Sequence, residues 1–342
     1  MVRARRLFHS RPVLLAAFAF AVMADPVSSF AYAIEAALGA LHGDLELLLP
    51  AMGVAIIAVV IVNYHQLVAR FPEGGGAAAA AGKAFGEGWA FIPIGALIVD
   101  FVLTIAISAA AGASALIDYL PGLAPARVAM SVVLPAFVAG LTWFGHLGRA
   151  IFAIMTIAFV VVGGAVLIGG LHAHPANVGV ITHAAGHPAA VAVLLAFPVA
   201  MALATGVEAP SSAIAQLGQL DNAGRRRFGR VTLWLTLAIV GTLTLGLTAA
   251  AVRLRTGIPA ANSTQIGNLA RASVSHGLFG LFQLTTALLL LAAASSSFQA
   301  GPGLLKALAR RTTSDGRGVR ILPGWMGASN QHHTRTGRYW CS

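Results

Sequence analysis

Charge is scarce in this sequence. Of its 342 residues, 10% are charged and 58% are apolar. Soluble globular proteins carry about 25% charged residues, so this balance excludes a water-soluble globule. A membrane span needs about 20 consecutive apolar residues, and the chain has room for many spans and little else. The sequence therefore predicts an all-α, polytopic membrane protein and excludes a nucleic-acid-binding module.

Cysteine is almost absent as well. The single cysteine, Cys341, lies in a polar stretch at the C-terminus, which excludes a disulfide framework and a cysteine-based metal site. His172 and His174 lie in a predicted outer loop without an acidic or cysteine partner. This pattern favours a solvated loop over a zinc site. We expect no cofactor and no resident metal.

The apolar runs predict eight transmembrane helices. They cover residues 12–41, 47–69, 89–117, 128–144, 150–170, 189–217, 231–252 and 277–298. A further short helix is predicted at residues 304–311, on the inner membrane surface.

Lysine and arginine are missing from all eight runs. If the N-terminus is inside, 18 of the 22 lysines and arginines fall on the cytoplasmic side. The exceptions are Arg127, Arg253, Arg255 and Arg271. An excess of positive charge in cytoplasmic loops sets the orientation of membrane proteins. We therefore expect a protein of the cell membrane with both termini in the cytoplasm.

Four carboxylates fall inside the apolar runs, where an unpaired charge is costly. Glu35 is near the outer end of span 1 and is expected to reach the membrane interface. The others, Asp25, Asp100 and Glu208, lie deeper.

Two of the spans carry interruptions at comparable places. Residues 25–29 of span 1 and residues 204–212 of span 6 combine proline with a carboxylate and hydroxyls. Proline removes a backbone donor and disturbs the preceding helical turn, so both segments predict broken helices. The five-span separation of the breaks is typical of an inverted repeat. Simple proline kinks are the alternative.

Seven side chains around these breaks form the candidate binding site. Asp100, Thr104 and Ser108 are spaced i, i+4, i+8 and share one face of span 3. Together they offer hard oxygen ligands with no internal counter-ion, which suits an alkali or alkaline-earth cation or a proton. Alternatively, the hydroxyls bond their own backbone. The full set is Asp25, Tyr32, Asp100, Thr104, Ser108, Thr205 and Glu208.

Four ordered segments resemble the amino acid-polyamine-organocation superfamily, and in particular its branch of KUP-type potassium-proton symporters. They are residues 25–32 (DPVSSFAY), 71–76 (FPEGGG), 99–104 (VDFVLT) and 205–209 (TGVEA). The resemblance implies a LeuT-like inverted-repeat fold with broken helices 1 and 6. It also implies that the same seven side chains form a potassium site, with no other metal.

The resemblance also divides the chain. Residues 1–11 are a cytoplasmic N-terminus, 12–170 the first five-helix repeat, 171–188 an outer loop, 189–298 a partial second repeat and 299–342 a cytoplasmic tail. Family members continue past residue 334 into further spans. The polar ending of this chain resembles a truncation or a frame change.

The expected function is proton-coupled potassium import by alternating access. A permease for amino acids or polyamines is the alternative within transport, and Asp25 would favour a cationic amine over a carboxylate there. An inactive truncated permease stays open. An intramembrane aspartyl protease is remote, because neither Asp25 nor Asp100 has the expected Gly-x-Gly-Asp context. The expected partners are potassium and a proton or a cationic small molecule, the lipid bilayer, and a second copy in a possible homodimer.

Overall fold

The computed structural model describes residue 16 and residues 19–56, 65–70, 76–143, 149–183, 187–206 and 221–309. Each of the eight predicted spans contains helical residues within these ranges. Short 3-10 turns lie at Glu87–Ala90, Pro121–Ala126 and Met201–Ala204. The α-helices are α1 (Ala24–Ala40), α2 (Leu45–Ile56), α3 (His65–Arg70), α4 (Gly76–Phe85), α5 (Phe91–Tyr119), α6 (Arg127–Trp143), α7 (Arg149–His172), α8 (Ala189–Ala200), α9 (Asn222–Leu254), α10 (Gln265–Ser273) and α11 (His276–Ala309).

Five helical stretches in the described ranges are long and apolar enough to cross a membrane. They are Gly88–Tyr119, Pro121–Trp143, Ile151–His172, Arg226–Leu254 and His276–Phe298. Leu45–Ile56 and Ala189–Leu203 are shorter apolar helices and correspond to described parts of predicted spans 2 and 6. The all-helical, multi-pass membrane architecture is therefore confirmed.

Helix α1 lies at the centre of the molecule, and most of its residues are buried. The helices around it fall into two groups. In the first group, α1 and α2 contact each other and both contact α8 and α9, whereas in the second group α5, α6 and α11 all contact one another. Helix α7 contacts members of both groups, and α1 also touches α5 and α11.

Three phenylalanines connect the groups through the centre. The ring of Phe30 on α1 lies 5.2 Å from the ring of Phe159 on α7, which lies 5.9 Å from that of Phe282 on α11. Lipid is as apolar as these side chains, so close packing rather than the hydrophobic effect holds membrane helices together. The aromatic contacts therefore help to define how α1, α7 and α11 meet.

The interruption of span 1 is less severe than predicted and lies earlier in the chain. Residues 25–29 belong to the first turns of α1, and the irregular residue is Met23, whose φ of −75° and ψ of −11° remain in the helical region. The amide of Met23 bonds the Ala19 carbonyl, and that of Val27 bonds the Met23 carbonyl. Proline is tolerated in a first helical turn, where amides lack partners anyway. The break predicted at residues 25–29 was therefore wrong in its position.

In span 6 the predicted interruption is present. Helix α8 ends at Ala200, the 3-10 turn follows, and Thr205 has a ψ of 126°. Gly206 then adopts a φ of +80°, which glycine allows without steric cost. Residues 207–220, including Glu208, lie outside the described residues. The span is therefore helical up to Ala204, and the chain turns at residues 205–206.

Three of the four arginines predicted on the outer side bind backbone carbonyls there. Arg253 donates to the carbonyls of Gly170 and Leu171 at the end of α7. Arg271 donates to the Asp118 carbonyl at the end of α5, and Arg127 donates to the Ala261 carbonyl in the segment before α10. Helix C-termini carry partial negative charge. These arginines thus have structural partners where they lie.

Two elements differ from the prediction. Helix α10, between spans 7 and 8, was not predicted, because Gln265, Asn268 and Arg271 interrupt any apolar run. Helix α11 continues to Ala309, so the prediction of a separate helix beginning at residue 304 was wrong. The predicted tail beyond Ala309 lies outside the described residues.

Candidate functional site

The start of α1 meets the turn in span 6. A Cβ atom placed on Gly206 would lie 2.6 Å from Cγ of Asp25 and 2.9 Å from its Oδ2. This spacing is shorter than any ordinary van der Waals contact, so a residue with a side chain does not fit there. The carboxylate of Asp25 therefore lies directly against the backbone that carries Thr205.

A hydrogen bond holds the same two segments together. The Ser29 hydroxyl, which is fully buried, donates to the carbonyls of Pro26 on α1 (2.8 Å) and Leu203 in the 3-10 turn (3.0 Å). One turn earlier, the Ser28 hydroxyl donates to the Asp25 carbonyl at 2.7 Å. Ser29 and Gly206 were not among the predicted site residues, although both lie within the motifs.

Asp25 is itself largely buried, with 8% of its surface exposed. Its position in the first turn of α1 is favourable, because the unsatisfied amides of a helix N-terminus attract negative charge. Tyr32 lies seven residues later and therefore on the same face of the helix. It is partly buried and packs against the central core.

Helix α5 presents Asp100, Thr104 and Ser108 along one face. Thr104 is 2% exposed and Ser108 is fully buried, whereas Asp100, nearer the predicted inner end, is half-buried. Among the described residues, neither the Thr104 nor the Ser108 hydroxyl has a hydrogen-bond partner. A buried hydroxyl without a partner is costly, which is consistent with the prediction that these two hydroxyls bind a ligand.

Other buried threonines show what the ordinary arrangement looks like. Thr156 and Thr236 each donate to the carbonyl four residues earlier, at 2.8 Å, as lone threonines in membrane helices usually do. Thr104 does not. Thr244 and Thr248 on α9 also lack partners in the described part of the chain, so a missing partner does not by itself identify a ligand atom.

The structure thus places some of the seven predicted residues near one another, whereas it does not describe the position of Glu208. Asp25 lies against the Thr205–Gly206 turn, and α1 contacts the helix that carries Asp100, Thr104 and Ser108. Glu208 lies outside the described residues. The binding roles of all seven remain predictions.

The outer loop after α7 is held by backbone bonding. Val178 and Val180 pair with Thr256 and Ile258, and a ring nitrogen of His172 lies 3.0 Å from the Ile168 carbonyl oxygen. Within the described ranges, no three His, Cys, Asp or Glu side chains come together as they would around a metal ion.

Comparison with known proteins gives one informative relative. The chain matches no protein-family model. It is 29% identical over 270 residues to the potassium transporter KimA of Bacillus subtilis (strain 168), an alignment that covers 76% of this chain and 44% of the relative. The chain thus spans less than half the length of this relative, which is a transporter and not an enzyme. The resemblance indicated by the motifs is confirmed: the chain is a multi-pass membrane protein similar to a bacterial potassium transporter.

Proposed function

We propose that this protein is a secondary active transporter that imports potassium together with a proton. The observation that carries the proposal is the contact of the Asp25 carboxylate with the turn at Thr205–Gly206. It places a negative charge beside a helix break, where exposed backbone groups and hydroxyls can replace the hydration shell of an ion. The similarity to KimA supports potassium as that ion.

The chemistry of the site favours a hard monovalent cation. Asp25, Asp100 and Glu208 supply carboxylates, Tyr32, Thr104, Ser108 and Thr205 supply hydroxyls, and the predicted spans contain no lysine or arginine. Oxygen donors of this kind bind alkali and alkaline-earth ions rather than soft metals. An incoming cation would satisfy the buried Thr104 and Ser108 hydroxyl oxygens.

The arrangement of the helices supports alternating access within a LeuT-like fold of eight spans. In transporters of this type, one helix bundle rocks against another around a central site. Here α1 of the first group, which carries Asp25 and Tyr32, contacts α5 of the second group, which carries Asp100, Thr104 and Ser108. With both termini inside, inward cation movement gains about 2.3 kcal/mol per charge for each 100 mV of membrane potential.

A cationic amine is the second candidate substrate. In an amino acid permease, bare backbone amides at this place would bind the carboxylate of the substrate. Here the Asp25 carboxylate would repel that group and attract an amine. A polyamine or a similar organic cation therefore fits the same charge pattern. A homodimer stays a prediction.

Uptake by purified protein in liposomes tests the proposal. We expect rubidium, used as a potassium tracer, to enter with protons, and Asp25→Asn to reduce this uptake at least about tenfold, since each 1.4 kcal/mol of lost binding is a factor of ten. Glu46→Gln is the matched control, because Glu46 is an exposed acid on α2. It should transport like the parent protein.

Two results would contradict potassium import, and a third would contradict the role of Asp25. Putrescine or lysine uptake without rubidium uptake would establish the amine as substrate. Uptake of neither by correctly inserted protein would support the inactive alternative. Rubidium uptake that Asp25→Asn leaves unchanged would remove Asp25 from the site.

A further inference from the structure

Helix α10 connects the two helix groups at the predicted outer end. Its residues 265–270 are buried, and it contacts α1 of the first group, α11 of the second, and α7 and α9. If the groups move relative to one another, as the proposed function requires, α10 cannot keep all of these contacts. Its polar bonds to each group show which group it follows.

The attachment to the second group is extensive. Asp118, at the end of α5, has a fully buried side chain that forms an ion pair with Arg271 of α10 at 2.7 Å. Its other oxygen, Oδ2, accepts from the amide (3.1 Å) and hydroxyl (2.9 Å) of Thr264, the N-cap of α10, and from Nε2 of Gln283 on α11 (2.7 Å). One carboxylate thus joins α5, α10 and α11.

Two further features tighten this attachment. A Cβ atom on Gly267 would lie 1.7 Å from Oδ2 of Asp118, so only glycine lets α10 approach so closely. Arg127, at the start of α6, donates to Ser114 on α5 at 2.9 Å and also to Ala261 in the segment before α10. The segment and α10 are therefore bonded to α5, α6 and α11.

By contrast, among the described residues α10 has one direct polar bond to a helix of the first group; a second bond, from Nε2 of Gln265 to the Thr256 carbonyl at 3.1 Å, reaches the segment just after α9. Oε2 of Glu35 on α1 accepts from the Gln265 amide at 2.9 Å. The Glu35 side chain was expected at the membrane interface, but the structure directs it to the N-terminus of α10. Ile266 and Leu269 of α10 belong to the same buried apolar cluster as most of α1. Apolar contacts are non-directional and allow sliding, whereas a hydrogen bond must break.

We propose that α10 is a lid that moves with α5 and α11, and that the bond between Glu35 and Gln265 is the contact released when the outer end opens. Two donors of Thr264 and the ion pair with Arg271 hold α10 and its N-cap to Asp118, against one amide donor at Glu35. The weaker attachment is released first. Glu35 therefore acts as a latch on the closed outer end.

The accessibility of a thiol beneath the lid tests this inference. In a Cys341→Ser background, Ala270→Cys places a thiol at a fully buried position of α10. Glu35→Ala removes the latch, and we expect a membrane-impermeant maleimide to label A270C about ten times faster, the factor expected for losing a hydrogen bond to a charged group. Glu35→Gln keeps a neutral acceptor oxygen, so its increase should be smaller.

Two controls separate opening from unfolding. Ala260→Cys is exposed on the same side and should label at the same rate with and without Glu35. Glu46→Ala, an acid on α2 away from the lid, should leave A270C labelling unchanged. Unchanged labelling of A270C in both Glu35 variants would overturn the latch. Faster labelling of A270C in a stably folded Arg271→Ala variant, without faster labelling in the Glu35 variants, would also overturn the latch. Labelling needs no potassium uptake, so failure of the proposed function would be seen separately.

Discussion

At the scale of single residues, Asp25 shows what a sequence can reveal and what it cannot. A carboxylate inside an apolar run is visible in the sequence, and its cost in lipid marks it as functional. Its neighbour Gly206 is 181 positions away along the chain, and nothing local indicates that the two meet. The motif containing Gly206 was recognised, but the reason for glycine is visible only in the fold.

Replacing Gly206 tests this contact. Alanine at a φ of +80° costs about 1–2 kcal/mol, and its Cβ would displace the Asp25 carboxylate. We expect Gly206→Ala to lower rubidium uptake on the order of tenfold or more, since about 1 Å of misplacement can cost far more than stability alone. Gly140→Ala, a helical glycine with open space around it, should keep normal uptake. Equal activity of the two variants would mean that the contact is not required.

At the scale of elements, the hydrophobic pattern predicted the all-helical, multi-pass character of the chain, because a continuous apolar run has few other structural solutions in lipid. Polar segments outside the membrane have no such constraint. Helix α10 escaped prediction because Thr264, Gln265 and Asn268 read as a loop, although Thr264 accepts from the Gly267 amide as an N-cap. The interruption of span 1 was misplaced because proline disturbs the turn before it rather than the turn that follows.

The ion pair that holds α10 has a measurable effect on stability. Removing one partner of a fully buried pair costs about 3–5 kcal/mol. Because Arg271 is half exposed, we expect Arg271→Ala to cost about 2 kcal/mol and to lower the melting temperature of the detergent-solubilised protein by several degrees. Arg255→Gly is the control, because Arg255 has a φ of +55° that suits glycine. A melting temperature unaffected by Arg271→Ala would show that the pair is not stabilising.

At the scale of the whole molecule, the predicted orientation in the membrane can be compared with the positive charges on both sides. Most positive charge lies on one predicted side, as the positive-inside rule requires. Three of the four arginines on the other side are engaged by carbonyl oxygens, two of them at helix C-termini. The outer arginines are therefore exceptions to the positive-inside rule that have structural partners on their own side.

Impermeant labelling of intact cells checks this orientation. In the Cys341→Ser background, Ala260→Cys should react from outside, because Ala260 lies in the exposed segment after α9. Ala84→Cys, exposed on α4, should react only after the membrane is permeabilised. The reverse pattern would place both termini outside and would invert the proposed direction of transport.

The aromatic contacts at the centre also constrain how the molecule can change shape. Phe30 lies five residues after Asp25, and its ring meets Phe159, which in turn stacks on Phe282. Close-packed interiors switch between discrete arrangements rather than deforming gradually. A change in the angles between α1, α7 and α11 therefore requires the three rings to repack, so we expect such a change to be abrupt rather than gradual.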